Sequence, residues 1–176
     1  MNLAKNSRSS FVSPAAWMLG ISFIGFLDAT YLTAKHYLGS SLTCVFFTGC
    51  ETVTTSSFSQ IFGVPVSLLG SAYYLTVFFA LAFFLDSRSM KVLSFVSYFT
   101  ILGFLASVYF VAVQVFVLKA LCLYCMISAM TSTLLFILGM VVLRKMGRAL
   151  LFPIGIAVVW TALVSFVLAI SSSFIP

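Results

Sequence analysis

The chain has 176 residues, of which 62% are hydrophobic and only 7% charged, whereas soluble domains carry about a quarter charged residues. Its apolar runs reach the roughly 20 residues that a helix needs to cross a bilayer core, and they are too many and too continuous for a cleaved signal or for alternating barrel strands. The net charge of +6 does not point to nucleic acid, because the basic residues gather at the ends of the apolar runs, where they orient a membrane protein.

Five spans are expected in one membrane domain covering 1–176. The first, about Pro14 to Tyr37, follows directly on Arg8–Ser13, so no cleavable leader is expected. It carries Asp28 in its interior and Lys35 and His36 at its far end. The connection Leu38–Val64 is long for a compact membrane protein, and loops of that length are usually functional. It holds Cys44 and Cys50 in CVFFTGC and a run of hydroxyl residues. The second span runs from about Pro65 to Leu85, with proline well placed to open a helix. Asp86–Lys91 links it to the third, about Val92 to Leu118. There Gly103, Ala106 and Ser107 form a small-residue stripe suited to close helix packing. The fourth, about Ala120 to Leu143, opens with KALCLYCMIS and so carries Cys122 and Cys125 at its mouth. Arg144–Arg148 leads to a fifth span, about Leu150 to Phe174. No internal repeat or low-complexity segment is present.

Lys5, Arg8, Arg88, Lys91, Arg144, Lys145 and Arg148 fall on one side, and only Lys35 and Lys119 on the other. The richer side should be cytoplasmic. The N-terminus is then inside, and all four cysteines lie on or near the outer face, where disulfide chemistry is allowed. In a bacterial inner membrane that face is oxidising.

The cysteines carry the chemistry. Residues three apart share a helix face, and Cys125 should lie roughly 4.5 Å deeper than Cys122. One thiol can then face the aqueous side and the other the bilayer. Both are in the first turns of a helix, where the dipole favours a thiolate, and Lys119 adds positive charge nearby. Cys44 and Cys50 can close a disulfide within the loop or open and offer Cys50 to another thiol, since exchange needs a sulfur that can reach the bridge. The bland alternatives are apolar packing for the helix pair and a static staple for the loop pair. Neither explains two pairs on one face. Four thiolates would also suit tetrahedral zinc, although Glu51 is the only carboxylate near them in sequence.

Taken together, DATYLTAKHY in the first span, Cys-x5-Cys ending in GC, ETVTTSSFSQIFGVPVSLLG and CLYC resemble the vitamin K epoxide reductase family, its bacterial members above all. The resemblance covers about Ala29 to Ile137. It implies a four-helix bundle around a quinone, a fifth transmembrane helix, and a long extracytoplasmic loop whose Glu51–Phe62 forms a short helix over the pocket. By that resemblance Cys44 exchanges with a partner's dithiol, Cys50 passes electrons inward through a transient bridge to Cys122, and Cys125 meets the quinone. Ser56, with Ser57 as the neighbouring alternative, matches the family's hydroxyl near the quinone, and Phe62 falls in the same covering segment. Some members carry a fused thioredoxin-like domain. With the chain stopping at Pro176, a separate thioredoxin-fold oxidase is the expected partner.

Two positions depart from the animal members. A tyrosine one turn after the second active cysteine is Ala129 here, and no asparagine lies between Pro65 and Leu85. The polar anchors for vitamin K epoxide are therefore missing, which leaves quinone reduction as the implied reaction. Gln114, late in the third span, reads as a quinone contact or as a bond to a neighbouring helix, and His36 as a donor to the quinone or the active thiolate or as a solvated interfacial residue. Tyr73, Tyr74, Tyr98, Tyr109 and Tyr124 are open as quinone contacts or as packing. Asp28 reads as a proton relay, as a carboxyl held neutral by burial, or as a partner for Lys35, with the pairing favoured.

The expected function is that of a membrane thiol–quinone oxidoreductase using menaquinone, ubiquinone or a similar quinone, set in membrane lipid and supporting disulfide formation in exported proteins. The other bacterial quinone-linked disulfide generator also uses two cysteine pairs, but both of its pairs are on loops and its Cys-x-x-Cys comes first. A non-enzymatic metal carrier or assembly factor is the alternative from a different class. It would show bound metal and free thiols instead of disulfides and copurifying quinone.

Overall fold

The computed structural model of the protein describes residues 11–38, 53–54, 56–61 and 63–147. Four long helices dominate them: α1 Val12–Tyr37, α2 Val66–Ser87, α3 Met90–Ala112 and α4 Leu123–Lys145. Each is long and apolar enough to cross a membrane, α3 together with its continuation to Leu118. The protein is thus an all-α multi-pass membrane protein with four candidate spans among the described residues. The fifth expected span at 150–174 lies outside them, as do Cys44, Cys50 and Phe62. Residues through Val142 form one compact unit. Of the second, Leu143–Pro176, the described part is the end of α4 and the turn to Gly147.

Hydrocarbon offers no partner to a peptide group, so a spanning segment must bond within itself, and a helix does so. The 22 residues of α2 reach about 33 Å at the α-helical rise, close to a bilayer core. Hydroxyl groups inside the spans follow the same rule by bonding back to their own helix. Ser22 donates to the Leu19 carbonyl at 2.8 Å, Thr33 to Ala29 at 2.8 Å and Ser97 to Leu93 at 2.8 Å.

The helices run past the apolar runs at two ends. The expected link Asp86–Lys91 shrinks to Arg88 and Ser89, because Asp86, Ser87 and Met90–Lys91 keep helical bonds although they are polar or lie at the rim. Arg88 stops α2 in the left-handed conformation, φ 52°, with its N–H on the Phe84 carbonyl at 2.8 Å. So short a connection leaves α2 and α3 as antiparallel neighbours.

Between helices the contacts are close, since lipid gives spans little hydrophobic reason to associate and van der Waals fit must serve instead. On α1, a Cβ at Gly25 would come within 2.5 Å of the Tyr74 ring, and on α3 a Cβ at Gly103 would strike the Tyr73 ring and hydroxyl. Only glycine admits these two rings. Between α3 and α4, Phe104 and Phe136 stack with centroids 4.4 Å apart. Phe79, Phe83, Phe95 and Phe116 are exposed on the outer faces, where lipid would meet them.

The segment before α2 differs from the single helix expected over Glu51–Phe62. Of its described part, Val53–Thr54 is helical, Ser57–Ser59 makes one 3-10 turn, and strands β1 Gln60–Ile61 and β2 Val64–Pro65 pair antiparallel. Gly63 supplies the positive φ, 79°, at the hairpin turn. Serine and threonine compete for backbone bonds and lower helix propensity here, and Pro65 cannot continue a ladder inward.

The other correction is at the fourth span. The end of α3 widens into a π-helix over Val113–Leu118, and Lys119 ends it with φ 48°. The Ala120 N–H reaches back to the Gln114 carbonyl at 3.2 Å. Helix α4 consequently begins at Leu123 and not at Ala120.

Candidate functional site

A cavity of about 1040 Å³ opens among the four helices and beneath the 53–61 segment. Most of its wall is apolar, with Leu32, Leu69, Phe99 and Phe110 from three helices. Polar residues on the wall include His36, Ser56, Tyr73, Gln114 and Ser128, and Cys125 borders it from the first turn of α4.

Cys122 stands at the N-cap position of α4. Its carbonyl accepts the Met126 N–H at 3.1 Å, and its own N–H donates to the side-chain Oε1 of Gln114 at 3.0 Å. The widened turn before Lys119 is what lets one residue serve both strands of this connection. The backbone carbonyl of Gln114 holds Ala120 while its side chain holds Cys122. π-turns inside helices often mark functional positions.

Both thiols of the pair are free, but their surroundings differ. Cys122 is fully buried beneath Val53, with Leu118, Ala120, Leu123 and Tyr124 around it. Cys125 is half-buried and faces the cavity. One of the two thiols was expected to be able to face the aqueous side; Cys122, the shallower of them, is instead packed against Val53. The hydrogen bond from the Cys125 side chain brings the Cys122 thiol down to about 7, helped by the backbone N–H groups of Cys125 and Tyr124 and opposed by burial and the charge of Asp28. An adjacent donor, and helix N–H groups with no intrahelical partner, are the ordinary causes of a stabilised thiolate. The pair thus sets the more acidic thiol at Cys122 and, one turn deeper, a second thiol at the cavity wall.

The remaining sequence candidates separate. His36 lines the cavity from the last turn of α1, and its Nε2 accepts from the Gln60 side-chain amide at 3.2 Å, which ties the end of α1 to β1. Ser56 also lines it, but its hydroxyl already donates to the Val53 carbonyl at 2.7 Å. Ser57 opens the 3-10 turn. Gln114 is buried on the wall, with its Oε1 committed to Cys122. Tyr124 is not part of the wall. Its ring packs on Tyr31 with centroids 5.1 Å apart, because its place between Cys122 and Cys125 turns it to another side of α4.

Asp28 does not pair with Lys35. Its Oδ2 is buried without a hydrogen-bond partner, while the Lys35 ammonium lies over the Tyr31 ring, 5.8 Å from the centroid. Two turns of helix separate the residues, and the aromatic face is the nearer partner for the cation.

Sequence reasoning left the role of Tyr74 open, and the structure makes it a junction. Its hydroxyl reaches the Ser128 carbonyl at 2.7 Å, Ser128 Oγ at 3.0 Å and Thr131 Oγ1 at 2.9 Å. This joins α2 to α4 one turn below Cys125. The covering position of Val53 over Cys122 was likewise not foreseen, and a lone valine in a hydroxyl-rich loop carries no periodic signal for it. Among the described residues no group of three or more His, Cys, Asp or Glu side chains is placed to hold a metal ion.

A search of functionally curated proteins finds no match to this chain. The sequence does match the profile of the vitamin K epoxide reductase family over residues 16–140, from early α1 to late α4 and across both the cavity and the cysteine pair. The chain therefore belongs to the vitamin K epoxide reductase family, whose enzymes are quinone-dependent thiol–disulfide oxidoreductases that work with a thiol partner.

Proposed function

We propose that the protein carries electrons from a separate thioredoxin-fold oxidase to a membrane quinone, and so sustains disulfide formation in exported proteins. The observation that carries this reading is the position of Cys125 on the wall of a large apolar cavity, with the acidic Cys122 thiol beside it. The cavity suits a quinone: its size is at the upper end of small-molecule sites and its few polar groups are set in apolar walls.

In this reading Cys44 takes the electrons from the partner's dithiol and Cys50 relays them to Cys122. Oxidation of the Cys122–Cys125 dithiol releases two electrons and two protons, which is the requirement for reducing one quinone to the quinol. Cys122, ionised near neutral pH, closes the disulfide onto Cys125. The quinone supplies the electron-accepting ring, and the protein supplies position and thiolate stabilisation. Val53 and Ser56 cover the pair, while His36 and Gln114 are the polar groups at the outer end of the cavity.

The finer architecture belongs to the same proposal. One membrane domain spans residues 1–176, with a four-helix bundle, a fifth membrane helix at 150–174 and the redox loop 38–64 on the extracytoplasmic face. The N-terminus is cytoplasmic, since the Lys and Arg residues concentrate on that side, and the host membrane is a bacterial plasma membrane.

The test is quinone reduction by the purified protein in detergent, driven by a reduced thioredoxin-fold protein. Cys125→Ala should abolish quinol formation. Absence of quinol with wild-type protein and both benzoquinone and naphthoquinone acceptors would refute the reading.

A further inference from the structure

We infer that Gln114 presents the quinone to the cysteine pair: the NH2 group of its side chain donates to one quinone carbonyl while the Oε1 of the same amide holds the backbone of Cys122. The inference rests on the quinone reading above and assigns one residue to it. It starts from an amide with only one end engaged. Gln114 is 3% exposed and lines the cavity, and its Oε1 accepts the Cys122 N–H at 3.0 Å. That bond fixes which way the amide points, because an NH2 group in place of the oxygen would set donor against donor. Its Nε2 carries two hydrogens, and neither has a partner among the described residues. Leaving a buried amide donor unpaired is unfavourable, and a quinone carbonyl, which only accepts, is its complement.

Other hydroxyl hydrogens on the wall are already taken. Ser56 donates to the Val53 carbonyl, Thr76 to Ala72 and Tyr74 to Ser128, and Ser107 is bonded to Ser132. The Tyr73 hydroxyl has no partner, but it is fully enclosed and lies against Gly103. Asp28 Oδ2 is enclosed as well and lies off the cavity wall. These two are the enclosed side-chain atoms without a partner among the described residues. Gln114 Nε2 is partnerless without being enclosed, and the space its residue borders is the cavity.

The position of this donor is set by the redox pair itself. Oxygen and nitrogen of an amide are about 2.2 Å apart by its bond lengths, which puts Nε2 within about 5 Å of the Cys122 nitrogen. Cys125 borders the same cavity from the first turn of α4. A carbonyl bonded to Nε2 is therefore held beside the pair. As electrons reach the ring, that oxygen gains negative charge before it is protonated, and a preset donor is worth more there than against the neutral quinone. Donation from Nε2 also polarises the amide and makes Oε1 the stronger acceptor, so a bound quinone tightens the hold on Cys122.

The chain has two glutamines, Gln60 and Gln114, so protein carrying nitrogen-15 in its glutamine side chains gives two NH2 signal pairs in a proton–nitrogen spectrum. Gln60→Glu, at an exposed residue, removes one pair and assigns both. The Gln60 amide is tied to His36 and serves as the internal reference. Short-chain naphthoquinone is added to the purified detergent-solubilised protein, with affinity read by equilibrium dialysis and the carbonyl stretch of the bound quinone by difference infrared spectroscopy. Expected is a downfield shift of the Gln114 NH2 protons on binding, with a smaller change at Gln60. In Gln114→Met binding should be weaker by about five- to tenfold, and the carbonyl stretch should return toward the free value. A glutamine that only clamps Cys122 would leave that stretch as in wild type. If wild type binds while its Gln114 signals stay in place, or if the stretch in Gln114→Met matches wild type, the assignment is overturned and the quinone reading stands. If wild type binds neither naphthoquinone nor benzoquinone, the quinone reading has failed and the assignment falls with it.

Discussion

The side-chain carbonyl of Gln114 accepts the backbone N–H of Cys122 across 3.0 Å. This bond joins the π-turn that ends the third span to the first residue of the Cys-x-x-Cys pair. A glutamine that reads in the sequence as a quinone contact or as a bond to a neighbouring helix is, in the fold, a clamp on the thiol-bearing backbone. Gln114→Met keeps the length and removes the acceptor. The buried N–H is then unpaired, and a loss of about 1–3 kcal/mol in stability is expected. Thermal unfolding in detergent measures it, and an unchanged midpoint would show that the clamp contributes nothing.

Val53 covers Cys122, which is fully buried. Trimming the cover with Val53→Ala should speed alkylation of Cys122 by a small maleimide severalfold, with a smaller effect on Cys125, which is already half-exposed. Peptide-resolved mass spectrometry distinguishes the two sites. Equal acceleration at both would mean that the variant loosens the whole helix end and does not uncover one thiol.

The acidity of Cys122 gives a pH signature. Its thiol titrates at about 7 in the folded protein, below the value of about 8.5 for a free cysteine. Thiolate therefore grows as pH rises through 7. The stability it contributes is fully present above the unfolded value and is lost as pH falls through about 7. The alkylation rate of Cys122 should rise with a midpoint near 7. In Cys125→Ala, which lacks the hydrogen-bond donor, the midpoint should move up toward the free value. A midpoint that stays in place would remove Cys125 as the main cause.

Tyr74 and Gly25 form a second coupled pair. The ring rests where a Cβ on Gly25 would be 2.5 Å away, and the hydroxyl is bonded to α4. Gly25→Ala should cost about 1–3 kcal/mol, since a rigid bonded ring cannot step aside. In a Tyr74→Ala background most of that cost should vanish, as expected for residues in contact. Additive losses in the double variant would argue against the contact.

Much of the site was legible from residue spacing. Cys-x-x-Cys at the mouth of an apolar run is a short-range pattern, and its helical geometry follows from three residues of separation. Ser56, His36 and Gln114, candidates for quinone contact in the sequence, line the cavity. Tyr124 was misjudged because position between two cysteines says nothing about which side of the helix a residue takes. The loop helix was misjudged because Gly63 acts as a hairpin turn only once β1 and β2 meet. Asp28 and Lys35 looked like a pair by sequence distance, yet Tyr31 offers the cation a nearer face.

Membrane residence, the number and rough limits of the described spans, and the thiol chemistry were written into composition and local spacing. Hydrocarbon tolerates few charges and demands self-satisfied backbone, so these features survive without any knowledge of neighbours. Which polar group does what was decided only by packing. Gln114 became a clamp, Tyr74 a junction and Tyr73 an unpaired donor because hydrogen-bond partners come from other helices, and a one-dimensional pattern does not contain the distances between them.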